Sequence, residues 1–143
     1  MKNYSKFLLV IFFCFATIGV TAQRQERVQM LQTGVIDART RDITWSKAIE
    51  VDLVITLDGS DIYIDDQANT HIRTYGKSSE YKGRNDDGDY FTRHTWSAYD
   101  EKGRSCNFIM VFFRDTGLNV YAVLYNNMAF RYYMHKNLSN FSL

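Results

Sequence analysis

Histidine side chains are the residues of this sequence best suited to bind a metal ion. His71, His94 and His135 are the three histidines, and histidine is a common zinc ligand. They fall on three separate predicted strands, and no two of them have the short spacing typical of zinc sites. We therefore expect surface or half-buried histidines, no metal site and no cofactor.

Nucleophilic catalysis would need a nucleophile, a base and an orienting group in one place. Ser97 and His94 form the nearest Ser/His pair, but residues three apart on a strand point to opposite faces. Cys106 lies in an apolar run, where a lone thiol is typically a packed core residue. We therefore predict no catalytic residues and a protein that is not an enzyme.

Acidic residues gather in the segment Asn85-Asp86-Asp87-Gly88-Asp89. Oxygen ligands at alternate positions are what calcium requires, but the distal glutamate of a calcium loop is missing. Asn, Asp and Gly are also the ordinary residues of turns. We interpret this segment as a turn. Asp100 and Glu101, which could be considered for glycoside hydrolysis, lie at another predicted turn.

Aromatic side chains are the remaining candidates for a functional site, because they concentrate on the four C-terminal predicted strands. Tyrosine and tryptophan combine an apolar ring with a polar group, which suits ligand pockets and interfaces. The alternative is that aromatic residues are favoured in strands and simply fill a small core. The predicted ligand-binding residues are Trp96, Phe108, Phe112 and Tyr121.

The strands that would position these aromatic residues come from one stretch of the sequence. Tyr90–Tyr99, Arg104–Phe113 and Leu118–Tyr125 are rich in β-branched and aromatic residues, and two short polar turns ending in glycine separate them. This pattern predicts an antiparallel meander. The middle run is apolar on both alternating faces, so it should be covered on both sides at the centre of the fold.

Further strands flank this meander. Ala48–Leu57 alternates apolar and polar residues most regularly, which predicts one packed and one wet face. Asp61–Asp65 follows a tight turn as its partner. Met128–His135 forms the closing strand, and alternation puts four apolar residues on one face of it: Met128, Phe130, Tyr132 and Met134. The polar sequence between them predicts an edge strand at Thr70–Gly76 and then a mobile loop over Lys77–Asp89.

The segment from Gln23 to Thr40 fits two patterns. Val28, Met30 and Ile36 fit one face of a strand, whereas Val28, Leu31 and Val35 fit the face of a helix. Gly34 and the β-branched residues beside it favour a first strand beginning near Gln29. A short helical lead-in remains the alternative.

Taken together, these patterns predict an all-β fold of about eight strands with turn signals every ten or so residues. The short connections favour an antiparallel meander, and a barrel over a sandwich. Eight strands can close into a barrel that holds side chains or one small ligand. In strand count and meander order the chain resembles the small calycin barrels, the lipocalins and avidins. This resemblance concerns topology and implies no functional residue.

Residues 1–22 have the features of a cleaved secretory signal peptide. Met1–Lys6 carries two lysines and no acid, and Phe7–Val20 is almost unbroken apolar sequence. Val20-Thr21-Ala22 supplies the small residues that signal peptidase needs. The apolar run is too short for a comfortable membrane span. We therefore expect export to the periplasm or the extracellular space.

Cleavage after Ala22 would leave 121 residues with 15 basic and 16 acidic side chains. A nearly neutral domain has no electrostatic footprint for nucleic acid or anionic lipid. Its single cysteine, Cys106, could form no internal disulfide, so the core must hold the fold by itself. We expect one all-β domain over 23–136, a loose tail over 137–143, and no membrane insertion after cleavage.

Two functions agree with these expectations. The first is a small exported β-barrel that binds an apolar or amphipathic ligand in an aromatic cavity of roughly a few hundred Å³, with Lys77–Asp89 as a flap. The second is a protein-interaction module, such as a periplasmic inhibitor or an accessory subunit. It would have a filled core and an exposed aromatic patch or sheet edge. We favour the first function.

Overall fold

The computed structural model describes residues 23–136, which fold into nine β-strands in a single antiparallel sheet. The all-β antiparallel meander predicted from the sequence is confirmed. The strands are β1 Arg24–Ile36, β2 Ile43–Trp45, β3 Ile49–Asp58, β4 Asp61–Ile64, β5 Thr70–Arg84, β6 Tyr90–Asp100, β7 Ser105–Phe113, β8 Leu118–Leu124 and β9 Met128–Tyr133.

The sheet closes on itself through its first and last long strands. Residues Arg24–Leu31 of β1 pair with β3, and residues Met30–Val35 pair with β9. From β3 to β9 every strand pairs with the next one along the chain, so the sheet forms a ring. The short strand β2 continues the β3 side of β1, because Gly34 pairs with Trp45 on one side and with Ala129 on the other.

Gly34 is required where β1 passes between these two neighbours. A Cβ atom at this position would lie 2.7 Å from a methyl group of Ile43 and 3.0 Å from the Trp45 ring. The guanidinium of Arg131 lies 3.8 Å from the centre of the same indole. The missing side chain therefore lets Trp45 lie flat on the outside of the ring under a cation.

The interior of the ring is filled by one cluster of apolar side chains from β1 and β3 to β9. The predicted inward face of the closing strand is confirmed, because Met128, Phe130, Tyr132 and Met134 all belong to this cluster. A register shift between β1 and β3 after Val28 lets Val28 and Leu31, three residues apart, both contribute to the interior.

Strand β7 is buried on both faces, as its sequence predicted. Cys106 and Phe108 belong to the interior cluster, whereas Val111 and Phe113 belong to a second apolar cluster on the opposite face. Phe112 differs, because it lies near the end of the strand and is 43% exposed. The second cluster is completed by Val120, Tyr133, Met30, Phe91, Ile109 and Leu118.

The predicted mobile loop over Lys77–Asp89 is wrong. Strand β5 continues through Arg84 and pairs with β6 from Ser79↔Thr95 to Arg84↔Tyr90. Strand β4 covers β5 only as far as Arg73, so the rest of β5 is largely exposed. Its polar sequence reflects that exposure and not a lack of pairing. Only the residues between Arg84 and Tyr90 form a turn, as interpreted for that acidic segment.

Two other features differ from the sequence prediction. Strand β1 begins at Arg24, earlier than expected, and the alternative helical lead-in is absent from residues 23–36. The three-residue strand β2 was not predicted, because so short a segment carries too little alternation to be recognised.

The predicted signal peptide at 1–22 and the predicted tail at 137–143 lie outside the described residues. Within residues 23–136, no helix has the length and apolar character needed to cross a bilayer.

Phe108 and Phe112 provide a matched test of this packing, since they lie four residues apart on the same face of one strand. Phe108→Ala should lower the free energy of unfolding by about 3–5 kcal/mol, the usual cost of truncating a buried phenylalanine. Phe112→Ala should lower it by about 1 kcal/mol or less, because that ring is already largely exposed. Urea denaturation measures both values. Equal losses for the two variants would contradict the difference in burial between the two rings.

Candidate functional site

Three of the four predicted ligand-binding residues form an aromatic ladder across the inner face of β6, β7 and β8. The ring centres of Trp96 and Phe108 are 6.0 Å apart, and those of Phe108 and Tyr121 are 5.8 Å apart. His94 extends the ladder, with its ring centre 5.8 Å from that of Trp96. These spacings are typical of packed aromatic pairs. The ladder therefore fills the middle of the ring with side chains.

Tyr121 has a special position in this ladder. The side chain is completely buried, and its hydroxyl makes no hydrogen bond within residues 23–136. Burial, and secondarily the nearby Glu26 carboxylate, raise the pKa of Tyr121 to about 12. An unpaired buried hydroxyl is a destabilising feature in a core.

An internal cavity of about 220 Å³ lies below the ladder, at the end of the ring where the β4–β5, β6–β7 and β8–β9 turns meet. None of the four predicted ligand-binding residues lines it. Its wall is mostly apolar, and a few polar side chains gather at the turn end. The lining residues are Leu31, Leu53, Asp66, Ala68, Thr70, Ile72, Arg104, Val123, Tyr125, Met128, Phe130 and Tyr132.

Asp100 organises the polar end of this cavity. Its side chain is fully buried and accepts hydrogen bonds from Arg104 Nε at 2.7 Å and from the Tyr125 hydroxyl at 3.0 Å. The backbone amides of Lys102 and Arg104 donate to its other oxygen. Burial alone would raise the pKa of the Asp100 carboxyl, but these hydrogen bonds together hold the pKa below its usual range. A buried carboxylate is thereby kept ionised.

Arg104 and Tyr125 are held in place by this carboxylate and line the cavity. The Arg104 guanidinium lies 5.0 Å from the centre of the Tyr125 ring, within range of a cation–π contact. Burial, together with the hydrogen bond to Asp100, raises the pKa of the Tyr125 hydroxyl. The tyrosine is therefore a neutral donor, and Arg104 places a cation at the cavity end.

Two further polar groups line the cavity from opposite sides. Asp66 accepts hydrogen bonds from the backbone amide and the hydroxyl of Thr70, at 3.0 and 2.7 Å. Tyr132 is 4% exposed, and its hydroxyl makes no hydrogen bond with any residue from 23 to 136. Burial raises the pKa of this hydroxyl, so it stays protonated. A hydroxyl at a cavity wall that lacks a protein partner can bind a polar group of a ligand.

Phe112, the fourth predicted residue, lies away from this cavity. It lines an open cleft of about 480 Å³ at the opposite end of the ring, together with residues near the ends of β5 and β6. The four predicted residues therefore do not form one site. Three of them fill the interior, and the fourth is available at the surface.

The histidines occupy unrelated positions. His71 lies on the outer face, where Nε2 is 2.8 Å from an Asp61 carboxylate oxygen and the ring stacks on Tyr63 at 4.5 Å. His94 belongs to the inner ladder. Within residues 23–136, no three His, Cys, Asp or Glu side chains lie close enough together to hold a metal ion.

Comparison of the chain with protein-family models, with curated proteins and with solved structures found no match. We therefore infer function from the geometry of the described residues alone.

Asp100→Asn tests the buried polar group. Because Asn carries no charge for Arg104, the variant should lower the free energy of unfolding at neutral pH by about 1–3 kcal/mol. The folded pKa of Asp100 is depressed, so its contribution is full above about pH 4, the unfolded value, and is lost as the pH falls through the folded value. Urea denaturation should show the difference between variant and wild type narrowing in acid.

Asp87→Asn is the matched control, since Asp87 is exposed in the β5–β6 turn. That change should stay within about 0.5 kcal/mol of the wild type. A pH-independent loss for Asp100→Asn would contradict the ionised state assigned to Asp100.

Cys106 should resist alkylation in the folded protein. The thiol is 7% exposed, and burial, with a smaller effect of the Asp100 charge, raises its pKa to about 11. At about pH 8 only about one thiol in a thousand would be the reactive thiolate. Peptide mapping after iodoacetamide treatment should show Cys106 labelled in urea and unlabelled without it. Rapid labelling of the native protein would show that the thiol is accessible.

Proposed function

We propose that this protein is an exported binding protein in which a small calycin-like barrel holds one small amphipathic ligand. The supporting observation is the 220 Å³ cavity, whose wall is mostly apolar and includes Tyr132, a tyrosine whose hydroxyl makes no hydrogen bond with any residue from 23 to 136. Such a cavity combines an apolar body with a few orienting polar groups, as ligand sites generally do.

The barrel interpretation rests on the ring closure. Without β2, eight strands form the ring, and eight strands enclose an interior wide enough for side chains or one small ligand. The aromatic ladder occupies the upper part of that interior, so only the lower part is left for a ligand. The remaining volume lies below the roughly 300–1,000 Å³ of typical ligand pockets, which favours a small ligand.

The polar end of the cavity indicates which groups the ligand carries. Arg104 favours an acceptor such as a carbonyl or carboxylate oxygen, and the Tyr132 hydroxyl can donate to or accept from a neighbouring group. Asp66 favours a donor. The apolar wall formed by residues such as Leu53 and Phe130 would cover the rest of the molecule.

We propose binding and not catalysis for this site. The Asp100 carboxylate is already saturated by four hydrogen bonds, so it is not free to act as a general base. The Cys106 thiol is protonated and buried, which makes it a poor nucleophile.

Ala68 offers a direct test of ligand binding. It lines the cavity from the β4–β5 connection and is itself exposed, so a larger residue should block the cavity without disturbing the core. Native mass spectrometry of the protein purified from its own compartment should show a bound small molecule in the wild type and in Ala68→Ser. Ala68→Trp should lack it. The same spectra report whether the N-terminus is Gln23, as cleavage of a signal peptide requires.

A wild-type protein that is consistently free of ligand would refute the proposal. Equal ligand occupancy in Ala68→Trp and Ala68→Ser would also refute it, because it would place the ligand elsewhere. Circular dichroism spectra of the two variants should be identical, which excludes misfolding as the cause of a loss.

A protein-interaction module is the second candidate, favoured by an exposed aromatic surface on the outer face of β4 to β6. Tyr63, Tyr75 and Tyr99 are 40–55% exposed there, and Arg73 lies among them, hydrogen-bonded to Asp61. Tyrosine and arginine are enriched at the centres of protein interfaces. A protein that carries no small molecule but crosslinks to one partner through Tyr99 would favour this candidate over the first.

A further inference from the structure

The open cleft at the far end of the ring is a second candidate site, separate from the 220 Å³ cavity. It lies where the β5–β6 turn and the end of β7 meet, and it encloses about 480 Å³. No residue lines both spaces. The cleft is lined by Lys82, Gly83, Arg84, Tyr90, Phe91, Thr92, Phe112 and Arg114.

The strand register explains how these side chains come together. Thr92 pairs with Lys82 on β5 and with Phe112 on β7, so the three residues form one row across the sheet. Thr92 also has the parity of Trp96, which belongs to the interior packing. The row therefore continues the inner face of the sheet beyond the filled core.

Positive charge dominates the lining of the cleft. Lys82, Arg84 and Arg114 are the charged residues that line it, and no carboxylate is among the described lining residues. Lys82 is 3.4 Å from Glu80, but both side chains are largely exposed, so this pair holds Lys82 only weakly. Arg114 makes no side-chain hydrogen bond or ion pair with any residue from 23 to 136.

Arg84 is positioned by an aromatic neighbour and not by an acid. Its guanidinium lies 4.0 Å from the centre of the Tyr90 ring and donates a hydrogen bond to the Tyr90 hydroxyl. Asp89, an acid of the same turn, is engaged with Asn85 across that turn. Two arginines and a lysine thus face the cleft without a neutralising carboxylate in its lining.

Apolar surface lies directly beside these cations. Phe112 is 43% exposed in the cleft, whereas the Phe91 ring packs against Tyr81 and Phe113 on the opposite face of the sheet. An exposed phenylalanine is unfavourable in water, and contact with an apolar ligand would remove that surface from solvent. The combination of cations and exposed aromatic rings matches a molecule with an anionic head and an apolar chain.

We propose that this cleft binds a single-chain amphiphile with an anionic head group, of the carboxylate class. The head group contacts Arg114, Arg84 and Lys82, and the chain lies against Phe112. This site is independent of the cavity proposed for the small amphipathic ligand.

An NMR titration with decanoate, below its micelle concentration, tests the proposal. Decanoate should shift the amide signals of Phe112 and Tyr90, and added salt should weaken its binding, because the contacts are charge-assisted. Decyltrimethylammonium has the same chain but a cationic head, and butyrate has the same head but a short chain. Neither should shift these signals at the same concentration.

Two variants separate the contributions of charge and apolar surface. Arg114→Gln should weaken decanoate binding about tenfold, the usual effect of losing one hydrogen bond to a charged group. Phe112→Ser should weaken it to a similar extent by removing the apolar contact. Arg39→Gln, at the exposed turn after β1, is the matched control and should leave binding unchanged.

Equal shifts from decanoate and decyltrimethylammonium would overturn the proposal, because they would show apolar contact without selection for charge. Unchanged affinity in Arg114→Gln would overturn it as well. Shifts confined to Val123 and Tyr132 would place decanoate in the internal cavity, which would refute the cleft while leaving the first site standing.

Discussion

The pairing of β1 with β9 is the interaction on which the rest of the fold depends. It turns a strip of antiparallel strands into a closed ring and gives the inner side chains one shared interior. The part of β5 beyond Arg73 lies past the reach of β4 and keeps one open edge. A register shift after Tyr75 and the lysines at 77 and 82 make that edge unsuitable for pairing with another chain.

Much of this architecture could be predicted from alternation alone. Regular period-two patterns located β3 and β9, and the two-faced apolar run located β7 at a position covered on both sides. The second half of β5 was wrongly predicted to be a loop. It is paired with β6 but is not packed against the core, and pairing alone leaves no pattern of apolar residues in the sequence.

The site was less accessible to sequence reasoning. Alternation shows which face a side chain occupies, but not whether it meets another side chain or an empty space. Trp96 and Tyr121 do lie on strands with an inner face. There they pack against Phe108, and they do not line the cavity. Asp100 and Tyr125 are 25 residues apart and meet only because two turns lie at one end of the ring. An acid just before a glycine-containing turn was the available signal for Asp100.

The long β1 also has a consequence for how the chain folds. Its first half pairs with β3, about twenty-five residues away in the sequence. Its second half pairs with β9, which lies about a hundred residues away. Closing so long a loop carries a large entropic cost before any contact offsets it, and such topologies fold slowly. An incomplete chain would leave half of β1 without a neighbour, so the native state forms only when the last strand is present.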